Sequence, residues 1–166
     1  ALCGIFFIGS IGASGDFRTG VLTGEHLAGK ENFALVIFLI MLLGFGVKAG
    51  MFPFHGWLPT AHPVAPAPAS AVLSGVITKM GVLGVIRVLY SVAGPDRLRG
   101  TWVQAVLLCL SLITVLMGSA MAFKEKKLKK RLAYSSVSQV SYVLFGLFTM
   151  TEIGFVGAVL HIIFHS

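Results

Sequence analysis

The chain has 166 residues, of which 56% are hydrophobic and 11% are charged, whereas about 25% of residues are charged in typical soluble domains. A soluble domain could not bury so much apolar surface, so the mean hydropathy of +0.91 predicts a protein whose solvent is lipid. The net charge of +7 is concentrated in short segments, which indicates membrane topology and argues against nucleic-acid binding. Cys3 and Cys109 both lie in apolar runs, which predicts neither a disulfide nor a metal site.

Apolar runs separated by polar connections predict an all-α, polytopic transmembrane helix bundle with one discontinuous helix. In chain order we expect helices at 1–15, 33–48, 69–92, 101–123, 132–150 and 153–166, with a half-helix at 54–61 after the second. A polar connection occupies 16–32. The chain begins at Ala1 and ends at Ser166 inside apolar runs, so we expect residues 1–166 to be a partial domain of a longer membrane protein.

The segment after Lys48 interrupts the second of these helices. Five of the six prolines lie between Pro53 and Pro68, and a regular helix cannot accommodate them. We therefore predict a helix break at Gly50, Pro53 and Pro59. An intramembrane charge beside a broken helix is typical of an ion pathway.

A short basic loop predicts the orientation of the bundle. Residues 124–131 include six Lys or Arg side chains, and short loops of this kind remain cytoplasmic. By alternation, the bend at 62–68 should lie on the cytoplasmic side, and the turn at 94–99 and the connection at 16–32 on the opposite side. Three arginines near that turn oppose this orientation but are outnumbered.

Two lysines lie within the apolar segments, Lys48 beside the break and Lys79 near the middle of its predicted helix. Either could extend its ammonium group to an interface, although Lys79 lies too deep to reach water easily. A buried lysine favours the neutral amine and can exchange a proton, which an arginine cannot do. The C-terminal end of the helix dipole would stabilise a charged Lys48. A structural scaffold would gain nothing from these lysines, each of which costs roughly 2.5–3.5 kcal/mol to insert.

Histidines occupy the last predicted helix and the break. His161 and His165 are four residues apart and share one helix face. This is also the spacing of a helical zinc pair, but no HExxH glutamate lies between them and no third ligand is placed to complete a site. Two histidines on one apolar helix favour a proton relay. His55 and His62 flank Trp57, where they could fill the kink or take part in proton uptake.

Hydroxyl-bearing side chains recur within two predicted spans. Those of the 69–92 helix are spaced four residues apart and form one polar edge, and others cluster at 134–142. They could line a file of water molecules or hydrogen bond between helices, and the sequence leaves both interpretations open. The candidate lining residues are Ser70, Ser74, Thr78, Ser135, Ser138 and Tyr142.

Three blocks occur in a fixed order from residue 33 onward. The first runs from Val47-Lys48 through Phe52-Pro-Phe-His-Gly-Trp-Leu-Pro-Thr-Ala-His62 to Thr78-Lys79-Met-Gly and Arg87. The second is Leu128-Lys-Lys-Arg-Leu-Ala-Tyr-Ser-Ser-Val-Ser-Gln139, and the third is Leu160-His-Ile-Ile-Phe-His165. Together they resemble the antiporter-like subunits of respiratory complex I, of membrane-bound hydrogenases of the formate-hydrogenlyase type and of Mrp cation/proton antiporters.

This resemblance implies that the chain is a fragment of a larger, inverted-repeat antiporter-like fold. It implies that Lys48 and Lys79 belong to a central proton path and that His161 and His165 act as relay groups. It also implies an essential glutamate on an earlier helix and a lysine after the paired histidines, and neither has a matching position within residues 1–166. We therefore expect a carboxylate from outside these residues near Lys48, and we do not expect this segment to translocate protons alone.

The prediction is proton translocation by an antiporter-like subunit of a NADH-quinone oxidoreductase or membrane-bound hydrogenase complex. The sequence has no Cys cluster, flavin fingerprint or haem ligand set, so we predict no cofactor and no redox chemistry in this chain. The alternatives are an Mrp-type Na⁺/H⁺ antiporter subunit and an intramembrane metal-dependent enzyme using His161 and His165. Expected partners are other membrane subunits, the lipid bilayer and protons or Na⁺, without nucleic acid. The expected location is a bacterial or archaeal inner (cytoplasmic) membrane.

Overall fold

The computed structural model describes residues 31–165, and within them every regular element is a helix. In chain order these helices are α1 (Glu31–Ala49), α2 (Trp57–Val64), α3 (67–93), α4 (Pro95–Leu98), α5 (Trp102–Lys124), α6 (Leu128–Phe148) and α7 (Glu152–Phe164). The helix predicted at 1–15 and most of the connection predicted at 16–32 lie outside the described residues.

Three of the described helices are long and apolar enough to cross a membrane, at Asn32–Ala49, Pro68–Ala93 and Trp102–Lys124. The apolar helix α7 is shorter. Helices suit this solvent because they satisfy every interior backbone N–H and C=O within one segment. The protein is an integral membrane protein with an all-α fold.

The helix α3 is continuous but changes its hydrogen-bonding pattern along its length. Its stretches Leu73–Ile77 and Arg87–Ala93 are π-helical, and Thr78–Ile86 between them is α-helical. Short π-helical stretches are frequent at functional sites. The first one ends directly before Thr78 and Lys79, so the local irregularity lies beside a predicted site residue.

The helices α5 and α6 form a central antiparallel pair. At one end of the pair the Gln104 side-chain amide donates to the Phe148 and Thr149 carbonyls, at 3.1 and 3.2 Å. Towards the other end the Ser119 and Ser138 hydroxyls lie 2.9 Å apart. Polar bonds at both ends therefore fix the register of the two helices.

The helix α6 is the element on which the others pack. The helices α2, α3, α5 and α7 contact it, and α1 packs mainly on α3. The core between them includes the fully buried Met41, Leu89, Leu144 and Phe148. Because α6 is surrounded, its polar side chains can meet α3, α5 and α7 on different faces.

Candidate functional site

The break after Lys48 begins with a defined helix terminus. Gly50 has a φ of 91°, in the left-handed region that glycine adopts without steric cost. Its N–H donates to the Val47 carbonyl at 3.1 Å, and the Met51 N–H donates to the Gly46 carbonyl at 2.8 Å. These two bonds are a Schellman motif, which ends α1. Lys48 therefore occupies the last turn of α1, and its side chain is exposed.

Two hydrogen bonds between residues distant in sequence fix the chain just after the end of α1. The Trp57 indole N–H donates to the Val47 carbonyl at 3.0 Å, so the carbonyl next to Lys48 also has a side-chain donor. The Phe52 N–H donates to the Thr114 hydroxyl of α5 at 2.9 Å. The interruption is therefore held on both sides by specific hydrogen bonds.

The other residues predicted for the break lie within it or just after it. Pro53 lies between α1 and α2, and Pro59 lies in the first turn of α2, where its missing N–H leaves no helical bond unmade. The half-buried His55 ring is stacked on Phe52, with centroids 6.0 Å apart. His55 thus packs inside the break.

Close backbone contact brings the end of α1 against the part of α3 that carries Lys79. A Cβ atom at Gly81 would lie 2.7 Å from the Ala49 amide nitrogen and 3.1 Å from the Lys48 carbonyl carbon. Separations this short leave no room for a side chain, so glycine permits the contact. Lys79 lies two residues before Gly81 and is half-buried. The two predicted lysines thus belong to segments that touch.

A row of polar side chains runs from α3 across α7 to α6. Lys79 and the exposed His165 interact electrostatically through space. The rings of His165 and His161 have centroids 6.3 Å apart and an interplanar angle of 28°. His161 Nε2 lies 2.8 Å from Gln139 Oε1, and the Tyr142 ring lies 6.0 Å from the His161 ring. Direct contacts therefore join the two predicted relay histidines to Gln139 and Tyr142, and an electrostatic interaction relates them to Lys79.

An open groove of about 410 Å³ between α5 and α6 reaches the end of this row. Its lining includes Gln139, the hydrogen-bond partner of His161, and Arg131 near the basic loop. This volume is large enough to hold several water molecules. The remaining lining residues are Ser119, Ala122, Phe123, Leu128, Leu132, Ser135, Ser138 and Tyr142.

The polar edge of α3 forms a second surface. The Ser70 hydroxyl lies 2.6 Å from Nδ1 of the buried His62, and the Ser74 hydroxyl lies 3.3 Å from the Ser136 hydroxyl of α6. The Thr78 hydroxyl donates to the Ser74 carbonyl within its own helix. The six candidate lining residues therefore lie on two surfaces, three on this edge and three in the groove.

Sequence reasoning missed specific roles for Gln139, Trp57 and Gly81. Gln139 lies within the polar cluster at 134–142, but its contact with His161 spans 22 residues of sequence. A glycine within a predicted helix indicates that another helix could approach closely, since it has no side chain, yet nothing in the sequence says which neighbour it meets. Only the packing of the helices identifies these three contacts.

Comparison with known proteins links the chain to one family. Residues 2–166 match the family model described as NADH:quinone oxidoreductase/Mrp antiporter, TM. The chain is 36% identical over 170 residues to NAD(P)H-quinone oxidoreductase chain 4 1 of Picosynechococcus sp., which covers 100% of this chain and 31% of that protein.

Solved structures share the fold. A chain of the Mrp complex from Dietzia sp. aligns with a TM-score of 0.81 and 26% identity, covering 99% of this chain and 29% of that chain. A chain of the membrane-bound sulfane sulfur reductase, an archaeal respiratory membrane complex, aligns with a TM-score of 0.75 and 29% identity, covering 99% and 28%. The chain thus spans less than a third of the length of each of these proteins.

Proposed function

Since this chain belongs to the NADH:quinone oxidoreductase/Mrp antiporter transmembrane family, we propose that it forms part of an antiporter-like subunit that translocates protons. The observation that carries the proposal is the series of contacts from His165 through His161 to Gln139, which lies beside an open groove, together with the electrostatic interaction between His165 and Lys79. We propose that the complete subunit works with other membrane subunits of a quinone oxidoreductase or membrane-bound hydrogenase complex, in a bacterial or archaeal cytoplasmic membrane.

The order of these groups suggests how a proton would move. A lysine can release its proton to a neutral imidazole, whereas an arginine retains its proton. The imidazole can then donate from one ring nitrogen after accepting at the other, which suits His165 and His161 to consecutive steps. Transfer would occur directly or through one water molecule. The groove would exchange that proton with water on the side of the basic loop.

Lys48 would couple to this row through the contact between α1 and α3. Its side chain is exposed in the described part of the chain, and an intramembrane charge pairs with a counter-charge or faces water. We propose that a carboxylate from outside residues 1–166 lies within direct or water-bridged reach of Lys48. A carboxylate that approaches favours the ammonium, and one that recedes favours proton release.

A second candidate function is Na⁺/H⁺ antiport of the Mrp type. It is favoured by the structural similarity to a chain of the Mrp complex from Dietzia sp.. The two functions differ in what drives transport. In vesicles containing the intact complex, proton movement that requires a Na⁺ gradient would support antiport, and proton movement that requires an electron donor without Na⁺ would support the redox-driven pump.

Substitution of the relay histidines gives a prediction that also tests whether they bind a metal ion. We expect His161→Ala or His165→Ala to slow proton translocation by about a hundredfold or more, the usual contribution of a positioned proton-transfer group. Metal content of the purified complex should be the same for the wild type and both variants, since within residues 31–165 no three His, Cys, Asp or Glu side chains are grouped to hold a metal ion. Stoichiometric zinc or iron that disappears in the variants would favour the metal-enzyme alternative.

The orientation proposed from the basic loop gives another prediction. Glu125 pairs with Lys130 at 2.9 Å, and this hydrogen bond lowers the pKa of the Glu125 carboxyl, but the loop keeps an excess of positive charge. In a background without Cys3 and Cys109, we expect Lys126→Cys to react with an impermeant thiol reagent only from the cytoplasmic side.

The matched control for that labelling is Arg97→Cys, at the turn before the other end of α5. It should react only from the other side of the membrane. Exchange of the two labelling patterns would reverse every orientation proposed above.

A further inference from the structure

Gln139 is placed between the open groove and the relay. It lines the groove with its side chain, and its Oε1 atom lies 2.8 Å from Nε2 of His161. With the amide oxygen facing Nε2, the oxygen can only accept a hydrogen bond, so this contact assigns the hydrogen to Nε2 of His161. The neutral ring then has Nδ1 as its free acceptor.

We propose that Gln139 is a positioning residue that holds His161 in the Nε2–H tautomer, so that His161 takes up its next proton at Nδ1. The proposal rests on the proposed function, because it specifies how the relay at His161 is directed. Uptake at Nδ1 converts the ring to an imidazolium, and loss of the Nε2 proton towards groove water leaves a neutral ring with its hydrogen on Nδ1. Proton exchange between Nδ1 and Nε2 through water then restores the Nε2–H tautomer that Gln139 favours. No bond other than the N–H bonds is made or broken.

The Gln139 amide carries no charge, and this affects how readily His161 releases its proton. A carboxylate at the same place would stabilise the imidazolium and delay release of its proton, whereas an amide orients the ring without adding charge. Among the described residues, the ionisable groups near His161 are His165 on its own helix, Tyr142 on α6 and, through His165, Lys79 on α3. The cation Arg131 lies further along the groove.

The substitution Gln139→Glu preserves shape and adds charge. The rate of proton translocation should decline at a pH that is higher than in the wild type by roughly 1 pH unit or more, because the carboxylate keeps His161 protonated to higher pH. The substitution Gln139→Leu should slow translocation without this displacement. The control is Gln104→Leu, which removes a hydrogen bond between helices at the far end of α5 and should leave the pH profile in place.

A spectroscopic measurement tests the tautomer without relying on transport. Nitrogen-15 NMR of the histidine-labelled intact complex, with His161→Asn to assign the signal, should show His161 as the Nε2–H tautomer in the wild type and as a mixture in Gln139→Leu. An Nδ1–H ring in the wild type, or a Gln139→Glu pH profile identical to that of the wild type, would overturn the proposal. A complex that moves no protons but shows the expected tautomer would contradict the proposed function alone.

Discussion

Replacing Lys48 with Met in the full-length subunit should abolish proton translocation while the complex still assembles. Lys48 occupies the last turn of α1, and its side chain is exposed in the described part of the chain, so its removal leaves no cavity in that core. The expected loss is a hundredfold or more, about the contribution of one proton-transfer group. The measurement is dye-detected proton uptake by membrane vesicles, with the amount of assembled complex determined by native gel.

Lys48→Arg is the matched control for charge. An arginine retains the positive charge but does not release its proton, so this variant should be nearly as inactive as Lys48→Met. Normal uptake by an assembled Lys48→Met complex would remove Lys48 from the pathway. Normal uptake by Lys48→Arg alone would reduce its role to that of a fixed charge.

Gly81→Ala should destabilise the protein and slow translocation together. The added methyl group would lie 2.7 Å from the Ala49 amide nitrogen, which is backbone and cannot rotate away. Overpacking of this kind costs about 1–3 kcal/mol. The strain is relieved only if α3 moves away from α1, which would separate the segments that carry Lys79 and Lys48. Thermal unfolding of the detergent-solubilised complex and vesicle uptake measure the two effects.

Gly75→Ala, on the same helix, is the control for that experiment. A Cβ atom at Gly75 meets no described atom within 4 Å, so we expect stability and uptake close to those of the wild type. Equal effects of the two substitutions would show that the α1–α3 contact has no special importance.

The sequence predicted the fold because its signals are local. The apolar runs, the prolines after Lys48 and the basic loop each act within about twenty residues, which is the length of one membrane helix. The all-α architecture predicted from them is confirmed by solved structures with the same fold, and the family resemblance carried by the three sequence blocks is confirmed by the family match. The roles of the individual site residues stay predictions.

The arrangement of the site could not be predicted in the same way, because it depends on contacts between helices. The spacing of His161 and His165 places them on one face, but it does not say that Gln139 meets His161 or that His165 lies near Lys79. The residues with hydroxyl side chains show most clearly that a sequence pattern does not identify contacts between helices. The sequence left open whether they line water or hydrogen bond between helices, and it did not show that Ser74 faces Ser136 on α6 while Ser138 lines the groove.

The central claim is that Lys79, His165 and His161 act in one proton path. Proton uptake by vesicles containing the wild-type complex, Lys79→Met, His165→Ala and the double variant tests it most directly. Steps in series are not independent, so each single variant should be slow and the double variant should be no slower than the slower single one. Single variants that pump normally, or a double variant whose loss is the product of the two single losses, would contradict the account.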